Sequence, residues 1–179
     1  MTAVALLLGL LIDHFIGEAK RWHPLVGFGN AASRLEKAAN PSRDNEGKLR
    51  GLVCWTLMVL IPVMAMSLVV SQLSGLALLV VNALVVYFVV GLKSLAEHAR
   101  NVAVPLLAGD LPAARQQIAM MVSRDTDKLT EQQVASATCE SVLENGSDAI
   151  FAALFWFCLL GAPGAILYRG ANTLDAMWG

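Results

Sequence analysis

Residues 52–70 and 76–92 contain no Asp, Glu, Lys, Arg or His. Each block approaches the roughly 20 apolar residues needed to cross a hydrocarbon core. In that medium every backbone N–H and C=O must be paired within the segment, so each block is predicted to be a helix. Only Ser-Gln-Leu-Ser-Gly, residues 71–75, separates them, and the pair reads as a transmembrane hairpin with a tight turn. Pro62 falls inside the first arm. Neighbouring helices can satisfy the carbonyl it frees, so a kink is expected there rather than a break. Composition points the same way: 56% of the 179 residues are hydrophobic and 15% are charged, too apolar for an ordinary soluble domain. The expected fold class is all-α, a polytopic helical membrane protein; a buried hairpin in a soluble all-α protein is the weaker alternative.

The remaining charges orient the blocks. Residues 18–50 hold seven Lys or Arg against Glu18, Glu36, Asp44 and Glu46, while residues 71–75 hold no charge. The positive-inside rule puts 18–50 in the cytoplasm, the tight turn outside, and 93–148 back in the cytoplasm. A formal net charge of -1 without a basic stripe argues against a nucleic-acid partner. The three cysteines, Cys54, Cys139 and Cys158, form no CxxC and suggest neither a disulfide framework nor a zinc site.

Residues 1–16 are apolar but short for a full span, and are expected to form a tilted or half-inserted first membrane helix. Met1-Thr2-Ala3 carries no positive charge and no small-residue cleavage site follows, which argues against a cleaved signal peptide. Asp13 lies near the end of this helix. A carboxylate deep in lipid costs about 2.5 kcal/mol or more, so Asp13 is expected to face protein or the interface. An amphipathic piece follows at about 26–39, then an exposed loop over 40–47. Trp22 beside Lys20 and Arg21 suits a membrane interface.

Residues 93–148 read as a small three-helix segment. Gly109-Asp110-Leu111-Pro112 separates the first two helices, with Asp110 as N-cap and Pro112 in the first turn; the second runs to about Val122. Thr130-Glu131-Gln132-Gln133 has capping-box spacing and predicts a third helix from Glu131. That helix places Glu140 and Glu144 on one face. Asp148 joins them if the helix continues past Gly146, or lies in a turn if it stops there. Like charges at this spacing repel, so an arginine from elsewhere or a metal ion is expected to compensate, unless the face is simply solvated. Residues 149–167 form a last apolar stretch broken by Gly161-Ala162-Pro163-Gly164. A straight helix would carry residues 168–175 across the membrane. A re-entrant arrangement, favoured because it gathers the polar clusters on one side, would return them.

These clusters together resemble the membrane family of adenosylcobinamide-phosphate synthases of cobalamin biosynthesis, known as CobD or CbiB. The resemblance rests on five elements in order along the whole chain. They are Gly17, Glu18, His23 and Pro24, with Ala19 where a proline is usual; Gly91-Leu92-Lys93 followed by His98, with lysine for arginine; Arg124-Asp125-Thr126; Glu140, Ser141, Glu144, Asn145 and Asp148; and Tyr168, Arg169, Asn172, Thr173, Leu174 and Asp175. Ala153 stands where the family usually has proline. Family members are about twice as long, so the chain is expected to be an N-terminal portion lacking the C-terminal part.

The resemblance implies ATP-dependent amide formation between adenosylcobyric acid and aminopropanol or its phosphate, in the inner membrane, with the polar motifs facing the cytoplasm. A carboxylate must be activated before amide formation, most simply as an acyl phosphate, and this calls for ATP and Mg²⁺. On that basis Glu140, Glu144, Asp148 and Asp175 are candidate metal ligands. Arg124 and Arg169 are candidates for holding phosphate or carboxylate, and His23 and His98 for accepting the amine proton. Glu18, Asn145, Tyr168 and Asn172 are candidate substrate contacts. No Walker A loop is present, so ATP use rests on the resemblance. The expected partners are a corrinoid, an amino alcohol or its phosphate, and the lipid bilayer, with homo-oligomerisation left open. A non-catalytic membrane sensor of the AmpE type, an inactive fragment and a transporter are the competing readings. The absence of ionisable groups from residues 52–70 and 76–92 weighs against the transporter.

Overall fold

Apolar side chains on most faces of a helix suit a lipid environment, and this chain places them so in a computed structural model describing residues 1–19, 23–39 and 48–178. The interfacial expectation for Lys20, Arg21 and Trp22 and the loop at 40–47 lie outside the described residues. Eight α-helices run in order among the described residues: α1 (Thr2–Ile16), α2 (Pro24–Ala39), α3 (Lys48–Gln72), α4 (Gly75–Val89), α5 (Leu92–Leu107), α6 (Leu111–Ile118), α7 (Glu131–Asn145) and α8 (Ala152–Trp178). A π-helical segment, Gly146–Phe151, joins α7 to α8. The architecture is all-helical and polytopic. Three helical stretches are long and apolar enough to cross a membrane: Lys48–Gln72, Gly75–Leu107 and Glu131–Trp178. Thr2–Ile16 is a shorter apolar helix.

Helix α3 buries Val59 alone and exposes Leu52, Leu60, Met64 and Leu68. It continues unbroken through Pro62. Thr56 and Ser67 donate their hydroxyl protons to the carbonyls of Leu52 and Val63, at 2.7 and 2.8 Å, so neither hydroxyl is left unpaired. Only Leu73 and Ser74 separate α3 from α4. Gly75 takes φ 57 there, a left-handed value that favours glycine.

Helix α1 packs on α4 at close range. A Cβ on Gly9 would lie 2.6 Å from Val86 Cβ and 2.8 Å from the Ala83 carbonyl oxygen, so only glycine permits this approach. The second apolar block is shorter as a helix than its composition suggests, because α4 ends at Val89 and Val90 is extended. The break exposes the first amides of α5, and Gly91 has no side chain to cap them. Asp13 does so from α1. It is buried, and its Oδ2 accepts from the Lys93 backbone N–H at 2.9 Å. The Lys93 ammonium donates to the Phe15 carbonyl at 3.2 Å, and the Tyr87 hydroxyl donates to the Gly17 carbonyl at 2.8 Å. These bonds tie the two helix ends together, and Asp13 faces protein as its cost in lipid requires, with its Oδ1 buried and unpartnered among the described residues.

Helices α5, α6 and α7 share a separate core of Val102, Ala114, Ile118, Val134 and Ala137. Asp110 caps α6, accepting from Ala113 N at 3.0 Å, and the Thr130–Gln133 capping box starts α7. The second helix stops at Ile118 rather than near Val122. The chain turns there, and Thr126 is buried with its hydroxyl donating to the Arg115 carbonyl.

Past α7 the chain keeps coiling, in π geometry, through Asp148. At Gly161 it reverses, with φ 68 and ψ -156 inside α8. Gly164 then lies against the carbonyl of Trp156, eight residues earlier, where any side chain would collide. Ala162 and Ala165 pack in one cluster with Ile150, Ala153 and Phe157. The last helical stretch is thus two arms folded on each other.

Candidate functional site

In one straight helix Asn145 and Arg169, 24 positions apart, would be separated by roughly 36 Å. Folded at Gly161, they line the same polar cavity of about 240 Å³. Glu18, from the segment after α1, and His98, from α5, line it too, with Ser94 and Ser141 completing its polar wall. Four candidate residues from four separate stretches of sequence therefore converge.

Each is held differently. His98 is exposed, and its Nδ1 lies 2.7 Å from the Ser94 carbonyl oxygen. A carbonyl only accepts, so Nδ1 carries the hydrogen and Nε2 of the neutral ring keeps a free lone pair. The Asn145 amide donates to the Ser141 carbonyl at 2.8 Å and to Ser141 Oγ at 3.3 Å. Ser141 is buried and donates in turn to the Met121 carbonyl at 3.2 Å, tying α7 to the turn after α6. Arg169 is half-buried, and its Nε has no hydrogen-bond partner among the described residues. No carboxylate among the described residues forms an ion pair with it; the acid whose charge acts on it is Glu18.

His23 sits behind Glu18 rather than on the cavity. It is buried, stacked edge-on against Phe88 at 5.7 Å, with Nε2 4.0 Å from Glu18 Oε1. Its Nδ1 accepts from the Leu25 backbone N–H at 3.3 Å, which leaves the ring proton on Nε2, facing the carboxylate. His23 is thus placed at the start of α2, facing Glu18 from beyond hydrogen-bond distance.

An adjoining cavity of about 250 Å³ is lined by Arg124, Glu140 and Glu144, and shares Met121 and Ser141 with the first. Arg124 donates from Nη2 to Glu140 Oε2 at 2.8 Å. Between the arginine and metal alternatives for compensating the acids, the arginine is present. Asp125 does not pair with Arg124 but accepts from the Asp127 backbone N–H at 3.0 Å. Among the described residues no group of three or more His, Cys, Asp or Glu is arranged to hold a metal ion. The four candidate acids accordingly do not form one ligand cluster. Glu140 and Glu144 border a common space, Asp148 is carried onto the π-helical segment and exposed, and Asp175 is exposed at the far end of α8. The donor chemistry fits a Mg²⁺ ion held by one or two carboxylates with water and phosphate oxygens, and does not fit a four-acid site. Asn172, half-buried, and Tyr168, packed against the apolar core, line neither cavity.

Ser94 and Asp13 were not among the sequence candidates for the site. Ser94 acts through its backbone carbonyl, which leaves no mark in a side-chain pattern. Asp13 was legible only as a carboxylate needing a protein environment; its partner lies 80 residues away.

A family model described as "CobD/Cbib protein" matches residues 6–179 of this chain. The cobalamin biosynthesis protein CobD of Stutzerimonas stutzeri is 51% identical over 170 residues, which cover 95% of this chain and 55% of the relative. The protein of the same name from Chromobacterium violaceum is 50% identical over 183 residues, covering 99% and 58%. That of Clostridium perfringens is 32% identical over 180 residues, covering 98% and 57%. The chain thus spans a little over half the length of the curated relatives it matches. No solved structure shows a significant match.

Proposed function

Because the chain belongs to the CobD/CbiB family, we propose that it is the part of a membrane-bound ligase that binds and joins a corrinoid carboxylate and an amine. The product is the amide of adenosylcobyric acid with aminopropanol or its phosphate, formed in the inner membrane with the polar cavities open to the cytoplasm. The relatives' printed role in cobalamin biosynthesis supports the pathway. The observation that carries the chemistry is the convergence of Glu18, His98, Asn145 and Arg169 on one polar cavity.

In this reading Arg169 holds an anion, carboxylate or phosphate, for which a guanidinium fork is suited. His98 takes a proton from the attacking amine at Nε2, its ring held by the Ser94 carbonyl. Asn145, held by Ser141, offers Oδ1 as an acceptor for a substrate N–H. Glu18, backed by His23, keeps the Arg169 guanidinium oriented. Carboxylate activation consumes ATP. Mg²⁺, carried by Glu140 and Glu144 together with phosphate oxygens, would neutralise phosphate charge in the adjoining cavity, and Arg124 would exchange its exposed partner Glu140 for phosphate. That exchange is cheap, since an exposed ion pair contributes only about 0–1 kcal/mol.

The test is complementation of a ligase-deficient strain, by this chain and by a full-length version, with His98→Gln and Arg169→Gln in each. Growth on the corrinoid precursor is expected with the full-length protein and is lost in both variants. Undiminished growth with either variant would overturn its assignment.

A further inference from the structure

Glu18 reaches the polar cavity from the short segment between α1 and α2, outside any helix. Two adjacent residues of α4 hold that segment on either side of it. The buried Tyr87 donates its hydroxyl proton to the Gly17 carbonyl at 2.8 Å, and Phe88 packs edge-on against His23 with ring centroids 5.7 Å apart. Lys93, at the start of α5, adds a third hold. Its ammonium donates to the Phe15 carbonyl at 3.2 Å, and a Cβ on Gly17 would stand only 3.1 Å from Lys93 Cδ. Gly17 takes φ 75 there and turns the chain out of α1. Helix α1 is seated without these bonds, by Gly9 against Val86 and by Ala5 in the main apolar cluster. What Tyr87 and Lys93 add is the place where the chain leaves α1, and the next residue is Glu18.

We propose that Tyr87 and Lys93 are positioning residues, which act through the carbonyls of Gly17 and Phe15 to hold Glu18 on the polar cavity beside Arg169. The inference rests on the proposed use of that cavity, in which Glu18 orients the guanidinium that binds the substrate anion. Glu18 does little to fix itself. It is exposed, and the only basic side chain within 4.0 Å of its carboxylate among the described residues is His23, at 4.0 Å and beyond hydrogen-bond distance. The backbone held by Tyr87 and Lys93 therefore decides where its charge stands. The pull of that charge on Arg169 falls with separation, so a segment free to swing would orient the guanidinium less well. The two holds also have a second use, since carbonyls at a helix end within the bilayer cannot take donors from water. The experiment separates that structural use from positioning.

In a background lacking Cys54, Cys139 and Cys158, nitroxide labels on cysteines at Ala19 and at Gln132, near the start of α7, report the position of the segment by pulsed EPR in detergent. One narrow distance is expected in the parent. Tyr87→Phe keeps the ring and loses the donor, and should lose the single narrow peak. Lys93→Met should do the same, although its backbone N–H can still bond Asp13. Lys93→Arg keeps a donor and should behave as the parent. A control pair at Ser74 and Gln132 does not report on the exit from α1 and should keep its distance in every variant. A change in both pairs would mean a structural role only, and overturns the proposal. In a full-length protein Tyr87→Phe should raise the KM of the corrinoid, or of the phosphate-bearing substrate, about tenfold at unchanged kcat, because a hold on a bound anion serves ground state and transition state alike. Narrow Ala19–Gln132 distances in both Tyr87→Phe and Lys93→Met overturn the proposal, as does a KM left unchanged by Tyr87→Phe in an active parent. The distance measurement needs no turnover. An inactive parent therefore counts against the proposed reaction alone, and the labels still decide whether Tyr87 and Lys93 hold the segment.

Discussion

At the scale of single residues, two histidines separated by 75 positions have opposite environments. His98 is exposed, with one nitrogen held by a carbonyl and the other free to the cavity. His23 is buried, with Nδ1 accepting from a backbone amide and Nε2 facing Glu18 at 4.0 Å. His98→Gln in a full-length protein should therefore lower the rate of amide formation by about 100-fold or more without changing stability, because a glutamine cannot take the proton. His23→Gln should act through α2 and Glu18, and lower thermal stability as well as activity. Arg124 makes a different case. Its pair with Glu140 is solvent-exposed, so Arg124→Gln should alter stability by no more than about 0.5 kcal/mol in thermal unfolding. A loss of activity in that variant would mark Arg124 as a substrate contact. Asp13 is the reverse: Asp13→Ala leaves the Lys93 amide unpaired at a buried helix start and should cost about 1–3 kcal/mol, read as a lower melting temperature in detergent.

At the scale of elements, helix identity was legible where one physical signal dominated. The uncharged blocks became α3 and α4, the Asp110 cap started α6, and the Thr130–Gln133 box started α7. The ends were less legible. Helix α4 stops at Val89 although apolar residues continue, because its partner for closing the break, Asp13, comes from another helix. The glycine-rich break in α8 was visible, but the choice between straight and folded arms depended on whether the arms could pack. Gly164 permits that packing by seating directly on the Trp156 carbonyl. Gly161→Ala places an L-residue at φ 68 and should cost about 1–2 kcal/mol. Gly164→Leu should force the arms apart and abolish activity in a full-length protein while leaving helix content by circular dichroism unchanged.

At the scale of the whole molecule, the fold at Gly161 puts the start and end of the acidic-to-tyrosine region on one cavity. The charge asymmetry of residues 18–50 leads us to expect this face in the cytoplasm. In a variant lacking Cys54, Cys139 and Cys158, a cysteine at Thr173 should react with a membrane-impermeant maleimide from the cytoplasmic side only, and one at Ser74 from the opposite side only. Labelling of Thr173→Cys from the periplasm alone would reverse the orientation of the returning arm.

Hydrophobic runs, caps and charge bias are local quantities, so the sequence by itself determined the helical class, most helix starts and the family resemblance carried by five short motifs. Which polar side chains meet is not local. The pairing of Arg124 with Glu140, the burial of Asp13 against Lys93, and the division of twelve candidate residues between two cavities and their surroundings were decided only by tertiary structure. The physical reason is that side chains meet through space, whether buried as Asp13 or exposed as Arg124, and the distance along the chain does not say which partner the packing of helices will bring within reach.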